Sequence, residues 1–265
     1  MKIINDLKSM YAIYVDAMND ENFENRYKGK EHYYHASASG SCARKLYYHA
    51  VVQADETNPM NDATKRKLRL GTIFHQDMEN CADYIVNYKV TQELTSNYKA
   101  TQELTSLKSL KDFKVNYKLT QEEEIIIPEF NVRGFFDLLV ETKEGEIILI
   151  DYKTIGSWPW KLKFGKDKKP STNLRYELQM GTYGYAIEKK YGRIDGLVLL
   201  YYNKDTSVIK HVSVPLKFVD LAYEYWSLIH HLHQSGLPAM EKGVSPVEDW
   251  ECNYCQFHDL CKGIK

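Results

Sequence analysis

Two acids and a lysine stand close together in the stretch "NVRGFFDLLVETKEGEIILIDYKT" (131–154): Asp137, then Asp151 and Lys153. Alternating and continuous apolar residues on both sides of "KEG" predict a β-hairpin. A three-residue loop, Lys143-Glu144-Gly145, puts glycine where a left-handed residue is needed. Thr142 then faces Glu146, and counting outward sets Asp137 opposite Asp151. Opposed residues share a face, with Cβ atoms roughly 5 Å apart, and alternation brings Lys153 to that face. A two-residue loop, Glu144-Gly145, would instead pair Asp137 with Tyr152 and part the carboxylates. The apolar run Ile147–Ile150 predicts a strand buried on both faces. Two carboxylates and an amine crowded there are costly unless something compensates, and a divalent cation would. Hard oxygen ligands suit Mg²⁺ or Mn²⁺, which keep waters for a phosphate substrate. Such an ion polarises a phosphodiester and lowers the pKa of a bound water. Lys153 would orient that water and offset developing charge.

A second group with chemical capacity closes the chain. "ECNYCQFHDLC" (251–261) holds Cys252, Cys255 and Cys261, three soft ligands where a tetrahedral site needs four. Cys42 and Cys81 are the other cysteines. Cys81, six residues after His75 on a predicted helix, reads as a buried free thiol. Four thiolates suit zinc and iron–sulfur alike, so residue chemistry leaves that choice open.

These groups must be positioned by the elements around them. The chain has 265 residues, 43% hydrophobic and 27% charged, with net charge −1, which fits a globular protein with a sizeable core and no global attraction to nucleic acid. No apolar run reaches the ~18 residues of a membrane span. The first residues lack the pattern of a secretory signal, so a cytoplasmic location is expected, with cysteines as thiols or ligands. Residues 1 to about 20 predict an amphipathic helix with Ile4, Leu7, Tyr11, Tyr14 and Met18 on its apolar face. Further helices are predicted after a Ser-rich loop within 37–52, over 62–87, from about Thr172 to Lys190, and over 216–236 with Gly236 as cap. "NYKVTQELTS" and "NYKATQELTS" stand in tandem at 87–106, and "NYKLTQEE" returns at 116–123; they read as a duplication in a surface insertion. A lysine-rich loop follows Trp158, and "GLVLLYYN" and "SVIKHVSVP" predict a second hairpin. The expected fold is α/β: a short mixed sheet flanked by helices. One domain, 1–265, would comprise a helical part (1–86), the repeat insertion (87–124), a catalytic core (125–216) and a C-terminal helix with its cysteine clip (217–265).

"GFFD", thirteen residues, then "DYK" resembles the PD-(D/E)XK nuclease superfamily with its restriction-endonuclease-like core. "GTIFHQ" (71–76) and "QMGTY" (179–183) resemble the helical histidine and the Gln-x-x-x-Tyr motif of its RecB-like branch. The resemblance implies an ion held by His75, Asp137, Asp151 and the backbone carbonyl of Tyr152. It implies catalytic roles for Asp137, Asp151, Lys153, Gln179 and Tyr183. "SCARKLYY" (41–48) with the Cys-x2-Cys-x5-Cys tail resembles the iron–sulfur nucleases of that branch, among them the CRISPR-associated single-strand exonucleases. That implies a [4Fe–4S] cluster on Cys42, Cys252, Cys255 and Cys261, although alanine at 43 replaces the usual proline.

The expected substrate is single-stranded DNA. Lysines track phosphates and tryptophans stack bases, which suits Trp158, Trp160, Lys161, Lys163, Lys166, Lys168 and Lys169, with Arg44 and Lys45 extending the track. No phosphate-binding Gly-x4-Gly-Lys-Ser/Thr loop is present, so a helicase working with this chain would be a separate protein. Two alternatives stay open: a catalytically idle DNA-binding or assembly subunit, and a zinc protein with a ribbon-like tail.

Overall fold

A computed structural model describes residues 10–18, 21, 32–87, 117–166 and 174–263. In chain order the elements are β1 (Tyr34–His35), α1 (Ala43–Leu46, continued by a wider turn over Tyr47–Val52), α2 (Asp62–Asn87), β2 (Tyr117–Ile127), β3 (Val132–Thr142), β4 (Ile147–Ile155), α3 (Ser157–Phe164), α4 (Leu174–Tyr191), β5 (Gly196–Asn203), β6 (Ile209–Val214), α5 (Lys217–Gln234) and α6 (His258–Lys262).

β3 organises the six-stranded mixed sheet. β2 runs antiparallel along one edge of it. The other edge is shared: β1 pairs in parallel with Val132 and Arg133, and β4 pairs antiparallel with Leu138 to Glu141. Residues 134–137 lie between those two ladders. β5 is parallel to β4, so the chain between them must cross over a face of the sheet, and α4 does so. α4 and α5 cover that face: Met180, Tyr183, Ile187, Trp226 and Ile229 pack on Leu149, Leu197 and Leu199. Gly181 lets the two helices touch at the backbone, since a Cβ there would lie 1.9 Å from the Phe218 carbonyl oxygen. α2 covers the other face, setting Phe74 and Met78 on Leu138, Val140 and Tyr152. This is the α/β class expected, with a mixed sheet between helical layers.

Four expectations need correction. Residues 10–18 are helical, but Val15 is the buried position (1% exposed), while Tyr11 and Tyr14 face outward; Ile4 and Leu7 lie outside the described residues. Lys65 bonds Asp16 at 2.9 Å and Arg69 lies over the Tyr14 ring, tying this helix to α2. The third repeat copy is not insertion: β2 starts at Tyr117, so the sheet begins well before residue 125. Its polar residues conceal a strand that an apolar pattern would reveal. The tandem copies at 88–106 lie outside the described residues. The lysine-rich segment is a helix at its start, α3, because Pro159 falls in the first turn, where a missing N–H costs nothing, and Asp205 Oδ2 accepts from the Ser157 N–H at 2.7 Å. Cys81 is exposed: six residues is one and two-thirds helical turns, which turns it away from the face carrying His75.

Candidate active site

The hairpin register follows the three-residue loop. Thr142 N–H donates to the Glu146 carbonyl at 2.9 Å, and Gly145 takes φ +81°. Leu138 pairs with Ile150 and Glu141 with Ile147; one further step sets Asp137 opposite Asp151. There the ladder ends, and the Tyr152 N–H donates to Asp137 Oδ2 at 2.6 Å instead of to the β3 backbone.

The site is a fork, and β2 shapes it. In the β2–β3 ladder Gln121 pairs with Leu138 and Glu123 with Phe136; the residues between, Glu122 and Asp137, interrupt it, and Glu122 has φ +46°. The two faces exchange at this point. Phe136 lies in the main core and Leu138 under α2, though two residues apart they would share a face in an unbroken strand. Ile125 and Leu119 divide the same way on β2. The expectation that the opposed acids share one face is thereby corrected: the register sets them opposite, but the kink turns Asp137 toward His75 on α2 while Asp151 stays toward Gln179 on α4. Sequence patterning carried no signal for it.

Both acids are buried, Asp137 at 7% exposed and Asp151 at 1%. Lys153 Nζ forms an ion pair with Asp151 Oδ2, and that oxygen has no well-formed hydrogen bond besides. Gln179 Nε2 donates to Asp151 Oδ1 at 3.2 Å and to the Tyr183 hydroxyl at 3.3 Å. Burial pushes the Asp151 carboxyl up, the Lys153 ammonium opposes this, and the Asp137 charge adds to it. Burial disfavours the Lys153 ammonium as well, yet Asp151 and Asp137 together hold its pKa above the ordinary value. The two shifts pull in opposite senses on one pair. The pair is ionised, because Lys153 has two carboxylates within its field.

His75 reaches in from α2. Its Nε2 donates to the Tyr152 carbonyl at 2.8 Å, and its Nδ1 lies 3.6 Å from Asp137 Oδ1. Burial alone would lower the imidazole pKa, but the hydrogen bond and charge of Asp137 raise it overall. Thus the four expected ion ligands are neighbours. His75, Asp137 and the Tyr152 backbone engage one another while Asp151 is held by Lys153 and Gln179, and among the described residues no group of three or more His, Cys, Asp or Glu side chains converges on one point. The donor set nonetheless fits Mg²⁺ or Mn²⁺: two carboxylates, one carbonyl and one imidazole, with a buried Asp151 oxygen met only by an ammonium.

Tyr176, which sequence reasoning passed over, lies under Lys153, its ring 5.1 Å from Nζ. With Gln179 and Tyr183 it repeats at helical spacing (i, i+3, i+7), so the motif could have been extended by one turn. Tyr183 is buried at the core, and its hydroxyl accepts from Gln179.

The expected basic track divides. Trp158 is 72% exposed, with Lys161 and Lys166 also outward. Trp160 packs on Phe164 at 4.5 Å, and Lys163 lies over the Tyr201 ring at 4.7 Å with its pKa lowered by burial. Lys168 and Lys169 lie outside the described residues. Arg44 is committed to the tail: it donates to Cys261 Sγ at 3.1 Å, the Pro238 carbonyl at 2.6 Å and the Tyr48 hydroxyl at 3.4 Å. Lys45 stands beside it on the rim of a cavity of about 660 Å³ that Cys42, Cys252, Cys255 and Cys261 all line. Burial raises the pKa of Cys42 and Cys255. The four are free thiols and suit a soft metal centre in donor type, though they do not converge on one point either.

The family model of the PD-(D/E)XK nuclease superfamily matches residues 33–262. No curated protein matches the chain. Among solved structures, a protein named SSO0001 is 16% identical with TM-score 0.54, covering 98% of this chain and 99% of its own. An alkaline exonuclease of Laribacter hongkongensis is 16% identical with TM-score 0.39, covering 81% and 94%. A Eubacterium rectale protein designated an exonuclease is 18% identical with TM-score 0.45, covering 78% and 82%. Among the described residues no helix is long and apolar enough to cross a membrane.

Proposed function

The chain belongs to the PD-(D/E)XK nuclease superfamily, and from that premise we propose that it is a divalent-metal-dependent exonuclease that hydrolyses single-stranded DNA. The observation that supports this most is the fork itself: Asp137, Asp151, Lys153 and the Tyr152 backbone meet where two strands part, with His75 and Gln179 closing it from opposite helices.

His75, Asp137, Asp151 and the Tyr152 carbonyl would hold Mg²⁺ or Mn²⁺, which when bound polarises the scissile phosphate and acidifies a water. The chain's own groups do the rest. The Tyr152 N–H fixes the rotamer of Asp137, and Gln179 fixes that of Asp151. Lys153, charged and pinned between Asp151 and the Tyr176 ring, orients the attacking water and offsets negative charge developing on the phosphoryl oxygens. Tyr183 acts through Gln179 as a positioning residue. Attack at phosphorus breaks one P–O ester bond, and the leaving oxygen takes up a proton.

Exposed Trp158 with Lys161 and Lys166 would hold the strand by stacking and phosphate contact, which supports a single-strand preference. Cys42, Cys252, Cys255 and Cys261 would hold a [4Fe–4S] cluster whose role is to join residue 42 to the tail. Zinc is the alternative there, and the colour of the purified protein separates them, brown for a cluster and none for zinc.

The test is nucleotide release from 5′- and 3′-labelled single and double strands with and without Mn²⁺. Release only with metal, faster on single strands and lost in Asp151→Asn and Lys153→Ala, is expected. The second reading, an idle DNA-binding or assembly subunit, draws on the hydrogen bonds that already engage His75, Asp137 and the Tyr152 backbone with one another; binding without release under any metal would establish it instead.

A further inference from the structure

Beyond the fork lies a chain of contacts to which neither the motifs nor the basic track give a role. Tyr176, under Lys153, is followed back along α4 by Arg175, whose guanidinium pairs with Glu251 and lies 5.4 Å from the centre of the Trp250 ring. Trp250 in turn meets Tyr254 edge-on, 6.4 Å between centroids. Buried aromatics need no further explanation, but these are not buried: Trp250 is 53% exposed and Tyr254 77%. Both rings, with Lys45, Lys262 and Arg175, line the rim of the 660 Å³ cavity, where Glu251 is the sole carboxylate and is already paired with Arg175. The surface therefore combines open π-faces with excess positive charge, and Arg175, beside Tyr176 in the first turns of α4, connects it to the helix that carries the fork's partners.

We propose that Trp250 and Tyr254 form a stacking platform for two bases of a single strand whose phosphates are held by Lys45 and Lys262. It rests on the nuclease reading for its substrate class, and it carries the strand from Lys153 past the N-terminal turn of α4 toward the cysteine tail. A single strand is the occupant because its bases offer π-faces to the rings and its phosphates complement the rim. A duplex hides the faces, and an apolar protein partner would leave Lys45 and Lys262 without counter-charge. Stacking tolerates any base, so the platform adds affinity without sequence preference.

The experiment measures the affinity of the full-length protein for a fluorescein-labelled oligothymidylate of about fifteen nucleotides, by anisotropy with divalent ions chelated and at several salt concentrations. Trp250→Ala and Tyr254→Ala should each weaken binding roughly tenfold, given the usual worth of a base–aromatic stack, while Tyr254→Phe binds as the wild type does. The salt slope should be unchanged in the aromatic variants and fall by about one in Lys45→Gln. Tyr254 is so exposed that its replacement leaves the fold intact, which separates lost stacking from misfolding. Wild-type affinity in Tyr254→Ala, or no binding by the wild type, overturns the platform. If binding behaves as expected but Mn²⁺ elicits no nucleotide release, the nuclease reading falls and the platform stands; release with unaltered variant binding does the reverse.

Discussion

At the scale of single residues, the site is a set of charges that tolerate burial by leaning on one another. Asp151 is buried against Lys153, Asp137 against a backbone N–H, and His75 against both Asp137 and the Tyr152 carbonyl. The His75 pKa is raised, which fixes the sign of its contribution. A group whose folded pKa lies above its unfolded value, about 6.5 for histidine, stabilises fully below the unfolded pKa and loses that effect as pH rises through the folded pKa. In metal-free protein, the melting temperature of His75→Gln should therefore fall furthest below wild type in acid and converge with it as pH climbs through that window. A gap that is constant with pH contradicts a charged His75–Asp137 pair. Binding a cation requires neutral imidazole, so metal affinity should rise across the same interval.

At the scale of elements, the register of one hairpin decides whether the acids meet. Deleting Val140, which lies between the turn and the acid, while the three-residue loop stays, sets Asp137 opposite Ile150 and separates the carboxylates; hydrolysis of labelled strands should be lost, whereas Glu144→Ala, which keeps register and loop length, should retain it. The hairpin was legible in the sequence because Gly145 specifies its turn and Ile147–Ile150 its burial, and α2 and α4 were legible from apolar spacing. The kink at Glu122 was not: a left-handed glutamate has no compositional mark. Nor was the full length of β2, where Lys118 and Gln121 to Glu124 mask the alternation, nor α3, whose lysines and Trp-Pro-Trp look like loop. Gln179 and Tyr183 were found, but which partner Gln179 would take depends on how closely α4 approaches β4, and that distance is a property of packing. Tyr254 lies inside the cysteine motif and Trp250 one residue before it, and neither has a spacing that marks it as a stacking residue.

At the scale of the molecule, the segment 34–58 and the C-terminal segment 233–261 close on each other. The Ala43 N–H donates to the Val244 carbonyl at 3.0 Å, and Thr57 and Asn58 N–H both reach the Gln256 carbonyl at 2.9 Å. His233 accepts from the Tyr34 hydroxyl at Nδ1 and donates from Nε2 to the Ala43 carbonyl, so it is held neutral in one tautomer. Arg44 joins this clasp through Cys261 and Pro238. Arg44→Ala should lower stability by about 2 kcal/mol, the usual worth of hydrogen bonds from a charged donor, as read by urea unfolding; an unchanged midpoint would mean the tail is held without it. The clasp and the fork are both reached from α4, through Arg175 to Glu251 and through Gln179 to Asp151. The account as a whole depends on the fork accepting a cation, and calorimetric titration of the chelator-treated protein with Mn²⁺ tests that most directly. Wild type should bind Mn²⁺ at the fork with release of a proton, and Asp151→Asn and Asp137→Asn should each lose that binding. Equal Mn²⁺ uptake by all three proteins, or none by the wild type, would contradict it.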